Sequence, residues 1–280
     1  MKIDAHQHFW KYSPETHGWI SEEMKVLKSD FLPEHLAPLL KETGFDGCVA
    51  VQASQSNAEN DFLLDLADNS EIVKGVVGWL DLQGENLNEE LAKYSQHPKF
   101  CGLRHIVQDE PDDRFLLRDQ FMQGIAQLKK YGLTYDILVF ERQLPAAVEF
   151  AKAFPEQPFV LDHIAKPLIA KGEIDAWEKH IRELATCQNV SCKLSGMVTE
   201  ANWKNWKVED FEPYLKVIFE SFGADRLMIG SDWPVCLLAG QYSVVMQIVI
   251  DYISNLSEDQ KAGILGGNAT KFYNLNSNPQ

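Results

Sequence analysis

The stretch KIDAHQHF at residues 2–9 alternates apolar and polar side chains, as a short half-buried β-strand does. Successive side chains of a strand point to opposite sides, so Asp4, His6 and His8 share one face. Seven further β-rich segments follow, and stretches with helical spacing of apolar residues separate them. These segments are residues 47–53, 73–82, 100–108, 134–140, 158–165, 190–196 and 226–233.

Strands that alternate with helices form parallel βαβ units. Eight strands close a (β/α)8 barrel, and a chain of 280 residues suits the roughly 250 residues of that fold. An open doubly wound sheet is the alternative, but it usually has a glycine-rich first turn, which HQHFWKYSPE at residues 6–15 lacks. We therefore predict a single-domain (β/α)8 TIM barrel over residues 1–280, with the aromatic-rich segment 10–32 as a functional loop such as a lid.

The composition, with 45% hydrophobic and 24% charged residues, is typical of a globular protein. Its 41 acidic and 26 basic residues give a net charge of −15, which disfavours nucleic acids and anionic membranes as partners. Five cysteines, mostly in apolar contexts, indicate reduced thiols. Because neither a leader pattern nor a membrane-spanning run is present, we expect a cytoplasmic protein. The sequence leaves the oligomeric state open.

Polar residues collect at the carboxyl ends of the predicted strands, where barrel enzymes carry their chemistry. Two histidines on one strand face place their imidazoles side by side, which suits a zinc-type ion. The aromatic residues Trp10, Trp19 and Trp233 flank this cluster and could stack on a ring. Arg104 is predicted to point inward above Gly102, and Asp136 with Lys193 to form an internal ion pair. The other members of the cluster are His6, His8, Gln52, His163, Ser195 and Asp232.

Several motifs of this chain occur in an order that resembles the amidohydrolase-related family of the amidohydrolase superfamily. They are DAHQHFW (4–10), VQAS (51–54), GLRH (102–105), DHIAKP (162–167), KLSGM (193–197), RLMIGSDWPV (226–235) and GNATKFYNL (267–275). The match is best to the sugar-lactonase branch, which includes proteins that resemble L-fuconolactonase and L-rhamnonolactonase. The resemblance implies a barrel hydrolase whose active site is built from His6, His8, His163 and Asp232. It also implies a closing helix, which we expect Asn268 to cap.

The resemblance also bears on the metal. Members with two metals use a bridging ligand from a middle strand, whereas strand five here, TYDILVF (134–140), offers only Asp136. At most one divalent ion, zinc or similar, is therefore expected on His6, His8 and Asp232, with His163 as a further ligand. The alternative is a metal-independent site.

The expected reaction is the opening of a sugar lactone to the aldonic acid. In this interpretation Asp232 activates water, and the three histidines polarise the carbonyl directly or through the metal. We expect Arg104 to orient the substrate by bidentate hydrogen bonds, Gln52 and Ser195 to bind hydroxyls, and Trp10 and Trp233 to stack on the ring. The alternatives are hydrolysis of a dicarboxylate lactone or a decarboxylation on the same scaffold, and a non-catalytic ligand-binding barrel. A single strand-end arginine favours a neutral polyol over a dicarboxylate.

Overall fold

Eight parallel strands form one sheet in the order β1 to β8 within residues 1–275, the part of the chain that the computed structural model describes. The strands are β1 (Ile3–Gln7), β2 (Gly47–Val51), β3 (Val73–Gly78), β4 (Phe100–His105), β5 (Thr134–Ile137), β6 (Phe159–Leu161), β7 (Val190–Leu194) and β8 (Leu227–Ile229). Just beyond β8, the amide of Asp232 donates to the carbonyl of His6 at 2.8 Å. The amide of His8 in turn donates to the carbonyl of Trp233 at 2.7 Å. These bonds bring the last strand back to the first, and the TIM-barrel prediction is confirmed.

Helices alternate with the strands and pack outside them. They are α1 (Pro33–Thr43), α2 (Asn57–Asn69), α3 (Leu87–Tyr94), α4 (Asp119–Leu128), α5 (Leu144–Ala153), α6 (Asp175–Leu184), α7 (Met197–Glu200), α8 (Glu212–Phe222), α9 (Tyr242–Tyr252), α10 (Glu258–Ala262) and α11 (Asn268–Phe272). The hydroxyl of Ser56 accepts from the Glu59 amide and caps α2, as the sequence predicts. No helix within residues 1–275 has the length and apolar character needed to cross a bilayer.

The apolar interior has two main parts. The larger lies between the sheet and the helices, and the smaller fills the barrel itself with Ile3, Val49, Val77, Val160 and Met228, among others. Tyr273, which follows α11, belongs to this inner cluster and donates a hydrogen bond to Asp136 at 2.8 Å. The closing helix therefore seals the barrel at the end opposite the predicted mouth.

Asn268 does not cap α11, contrary to the prediction. It is the first residue of the helix, and its side-chain amide donates to the main-chain carbonyls of Ala224 and Leu227 at 2.8 and 2.7 Å. The residue is structural, but it ties the closing helix to the start of β8 rather than satisfying the helix's own amides.

The segment 10–32 folds over the mouth of the barrel. The main chains of Trp10 and Phe31 exchange two hydrogen bonds of 2.9 Å, which close the segment into a loop. Trp10, Ile20 and Leu27 form a small core beneath it. The segment thus lies above the strand ends, and its role as a functional loop stays a prediction.

Candidate active site

A left-handed turn follows β6 and brings the side chains of His163 and Lys166 to the mouth of the barrel. The four residues His163 to Lys166 have φ values of 53°, 49°, 61° and 47°. None of them is glycine, and each such residue costs roughly 1–2 kcal/mol relative to right-handed backbone. Strain of this kind persists where surrounding structure enforces it, often at functional sites. The indole of Trp177 secures the turn by donating to the carbonyl of Ile164 at 2.7 Å.

The carboxylate of Asp232 faces three imidazoles. Its Oδ1 lies 3.4 Å from Nε2 of His8, 3.9 Å from Nε2 of His6 and 4.0 Å from Nε2 of His163. Asp232 also has a left-handed φ of 57°. Gly230, two residues earlier, has no side chain and so leaves room for His6. A Cβ on Gly230 would lie 2.7 Å from Cβ of His6. The structure thus brings together the four residues that the resemblance assigns to the active site.

Main-chain contacts orient His8. Its Nδ1 lies 2.7 Å from the carbonyl of Val51, which can only accept a hydrogen bond. Nδ1 therefore carries the proton, and the lone pair of Nε2 faces His6 and Asp232. Histidines that bind metals are commonly held in this way by a carbonyl or carboxylate on the other ring nitrogen.

Beneath His6 lies a buried network of charges. Lys193 Nζ is 2.5 Å from Asp136, 3.0 Å from Asp162 and 3.1 Å from Nδ1 of His6. The predicted Asp136–Lys193 ion pair is confirmed. Asp162 was not predicted, although it also lies 3.3 Å from Nδ1 of His6 and 3.2 Å from Arg104. This carboxylate links the ion pair to the active site.

Strand periodicity by itself gives no signal for Asp162 at the site. It is adjacent to His163, and neighbouring residues of a strand point to opposite faces. The strand, however, ends at Leu161, and the left-handed turn lets both side chains face the interior. The signal available in the sequence was the DHIAKP motif itself, in which Asp162 and Lys166 flank the histidine.

Arg104 points inward as predicted, but its hydrogen-bonding groups are largely occupied. Nε and Nη2 contact Oε1 of Gln52 at 3.2 and 2.8 Å, and Nη1 contacts Asp162 at 3.2 Å. The Nε–Nη2 edge is therefore already occupied, and the expected bidentate contact of Arg104 with a substrate stays a prediction. Gln52 is fully buried and positions Arg104. Its expected contact with a substrate hydroxyl stays a prediction.

Two further predicted binding residues lie behind the surface of the site. The hydroxyl of Ser195 is 3.0 Å from Nδ1 of His163, and the residue is only 1% exposed, so it orients the imidazole. Trp233 is 2% exposed and packs edge-on against Phe9 and Phe31. The indole thus packs under the 10–32 segment, and its expected stacking on a substrate ring stays a prediction.

A cavity of about 280 Å³ opens above these groups. Trp10, which is only 1% exposed, and the half-exposed Trp19 line it. The expected stacking of Trp10 on a substrate ring stays a prediction. The remaining lining residues are His8, Ala53, Arg104, Ile106, Gln108, Asp109, Leu138, His163, Lys166, Asp232 and Val235. Lys166, Gln108 and Asp109 were not predicted. The structure places all three beyond the ends of β6 and β4, although the predicted strand 100–108 included Gln108.

Burial sets the protonation of the imidazoles. It holds the pKa values of His6 and His163 well below their ordinary value, so both rings are neutral near pH 7. Burial alone would raise the pKa of Asp232, but the nearby His163 and the ammonium of Lys166 help to lower it below its usual value. The site therefore combines an ionised carboxylate with the neutral imidazoles of His6 and His163, as a general base among hydrogen-bond donors requires.

The donor set fits a single divalent ion. One ligand atom each from His6, His8 and Asp232 lies within 4.8 Å of the others, and all three residues are buried. Neutral imidazole and carboxylate are ligands that zinc accepts. Asp136 is engaged by Lys193 and Tyr273, so the described residues offer no strand-five carboxylate free to bridge a second ion.

Comparison with known proteins identifies the family of this chain. The family model described as Amidohydrolase matches residues 3–275. An L-fucono-1,5-lactonase from Burkholderia multivorans is 40% identical over 98% of this chain and 96% of its own length. An L-rhamnono-gamma-lactonase from Scheffersomyces stipitis is 26% identical over 62% of this chain and 59% of its own.

Solved structures extend the comparison. The crystal structure of an amidohydrolase from B. multivorans with bound zinc superposes with a TM-score of 0.94 at 40% identity, covering 98% of this chain and 99% of that one. The family match spans nearly the whole barrel, including the strand ends that carry the four site residues. This chain therefore belongs to the amidohydrolase family.

Proposed function

We propose that this protein is a hydrolase that opens a sugar lactone, of the L-fucono- or L-rhamnono-lactone type, to the aldonic acid. The observation that carries the proposal is the carboxylate of Asp232 facing three imidazoles at the floor of a small cavity. The lactonase relatives support the same chemistry. A cavity of about 280 Å³ is near the lower end of ligand pockets, which suits a single sugar ring.

Asp232 is the proposed proton carrier. Its lowered pKa keeps the carboxylate ionised, so it can accept a proton from water as the oxygen attacks the lactone carbonyl. When the ring carbon–oxygen bond breaks, the same carboxyl returns the proton to the departing ring oxygen. One residue thus serves as base and then acid.

The imidazoles complete the site. The Ser195 hydroxyl can donate to Nδ1 of His163, which leaves an Nε2–H to stabilise the developing oxyanion. His6, His8 and Asp232 would hold a divalent ion of the zinc type, which supplies Lewis-acid polarisation of the carbonyl when bound. Asp162 and Lys193 fix the ring of His6 from behind.

The charge of the cavity favours a neutral substrate. Arg104 and Lys166 are balanced by Asp109 and Asp232 among the charged lining residues, and Arg104 is already paired with Asp162. A dicarboxylate lactone would bring two negative charges into this balanced site, where Arg104 is already paired and Lys166 alone could offset one of them. The arrangement therefore supports the sugar lactone over the dicarboxylate alternative, and its ionised base argues against a purely ligand-binding barrel.

An assay over a panel of sugar lactones tests the proposal. Purified protein, either chelator-treated or supplemented with zinc, is mixed with each lactone, and acid release is followed with a pH indicator. We expect ring opening of at least one deoxy-sugar aldonolactone and little activity on dicarboxylate lactones. Failure to open any sugar lactone in both metal conditions would rule the function out.

A further inference from the structure

Lys166 is the cation of the cavity that is least committed to other groups. Its Nζ lies 3.8 Å from Oε1 of Glu200, which is beyond hydrogen-bond distance. The Lys166 and Glu200 side chains are only 18% and 20% exposed. Arg104, the other lining cation, is fully engaged with Gln52 and Asp162. A largely desolvated ammonium with spare donors is thus held at the edge of the site.

The backbone places this ammonium beside the reacting groups. The amide of Lys166 donates to the carbonyl of His163 at 2.9 Å across the left-handed turn. Both side chains line the same cavity as Asp232. The turn that presents the oxyanion donor therefore presents the lysine with it, and a ligand held by one residue is within reach of the other.

The proposed reaction changes the charge of its ligand. The water oxygen bonds to the carbonyl carbon and the ring carbon–oxygen bond breaks. One water proton passes through Asp232 to the ring oxygen, and the acid proton of the product is lost to solvent. A neutral lactone thus becomes an anionic aldonate next to the ionised Asp232, and an anion in that position needs a cation.

We propose that Lys166 binds the carboxylate of the aldonate product and that Glu200 weakens this contact by competing for the ammonium. The inference rests on the proposed function, because it takes the product to be an aldonate. Lys166 should bind the product more tightly than the neutral substrate, since a charge-assisted hydrogen bond to a carboxylate forms only after the ring opens. Burial raises the pKa of Glu200 above its ordinary value, although Lys166 acts to lower it.

Calorimetric titration of the protein tests this assignment. The probes are the aldonate of the lactone that is hydrolysed fastest, for example L-fuconate, and the matching uncharged alditol, L-fucitol. We expect Lys166→Met to weaken aldonate binding by about tenfold or more and to leave alditol binding within about twofold. Glu200→Gln should tighten aldonate binding, and the exposed Lys171→Met serves as the matched control with no effect.

Kinetics distinguish a binding role from a structural one. For Lys166→Met we expect weaker inhibition by the aldonate with a much smaller change in KM for the lactone, and Lys166→Arg should restore the inhibition in part. Three outcomes would overturn the inference. Lys166→Met could lose aldonate and alditol binding equally, or it could leave aldonate binding unchanged. The wild-type protein could also hydrolyse a lactone without binding its aldonate. Absence of lactone hydrolysis by the wild type would instead refute the proposed function.

Discussion

The ammonium of Lys193 lies 3.0 Å from the carboxylate of Asp162 inside the barrel, and both side chains are completely shielded from solvent. Lys193 also neutralises Asp136 at 2.5 Å. One cation thus holds two buried carboxylates, one of which touches His6. Both the stability of the barrel and the geometry of the active site therefore depend on the Lys193 ammonium.

Replacement of Lys193 by Met should destabilise the fold strongly. It leaves Asp136 and Asp162 buried with less compensation, and breaking a buried ion pair typically costs about 3–5 kcal/mol. Urea unfolding measures the loss. The control is Lys152→Met, which removes an exposed pair with Glu183 and should cost less than about 1 kcal/mol. Equal stability of the two variants would contradict the role of the network.

Asp232→Asn should abolish most turnover while the barrel stays folded. The amide cannot accept the proton from water, and general acid–base catalysis contributes about 10²- to 10⁴-fold in rate. Lactone hydrolysis is compared with circular dichroism and thermal unfolding of the same sample. A variant that turns over at the wild-type rate would exclude Asp232 as the base.

Gly196→Ala should impair catalysis through His163. Gly196 has a φ of 65°, and an added Cβ would lie 2.5 Å from Nδ1 of that histidine. A displacement of about 1 Å in a catalytic group can cost about 10²-fold in rate.

Gly132→Ala provides the matched control for this variant. Gly132 has a φ of 68° but open space around its Cβ position, so both variants bear the same backbone cost of roughly 1–2 kcal/mol. Only the first should lose activity beyond its loss of stability. Parallel losses in both would show that backbone strain alone is responsible.

His8→Gln should weaken zinc binding by at least about tenfold, because it removes one of three candidate ligands. The Val51 carbonyl orients Nε2 of His8 for this role. Titration calorimetry with zinc, followed by metal analysis of the dialysed protein, gives the affinity and stoichiometry. His180→Gln, on the outer helix α6, is the control. Wild-type affinity in the His8 variant would place the ion elsewhere.

Glu200→Gln should change the pH dependence of stability. Burial raises the pKa of Glu200, so the folded chain binds this proton more tightly than the unfolded chain does. The resulting stabilisation is present below the unfolded pKa and is lost as the pH rises through the folded one.

The glutamine lacks this titration. The free energy of unfolding of Glu200→Gln, relative to wild type, should therefore increase as the pH rises above about 4, the ordinary pKa of an unfolded glutamate. Urea unfolding of both proteins at several pH values tests this prediction. A difference that stays constant or falls with pH would contradict the assigned shift.

Local patterns were sufficient for the architecture. Eight alternating strand and helix segments predicted the barrel, because period-two and helical spacing of apolar residues follow directly from backbone geometry. The predicted strands around Leu161 and Ile229 were too long. After each of these strands the backbone leaves the sheet through a left-handed residue, His163 after β6 and Asp232 after β8. The extra residues are the ones that reach the mouth.

The sequence by itself determined the strand order, the histidines of the first strand, the inward direction of Arg104 and the ion pair between Asp136 and Lys193. Only the tertiary structure decided which polar side chains meet the cavity and which support others from behind. Gln52 and Ser195 bind Arg104 and His163, while Lys166 enters the cavity. The physical reason is that loop conformation and long-range hydrogen bonds, which aim these side chains, depend on contacts between residues far apart in the chain and have no local period.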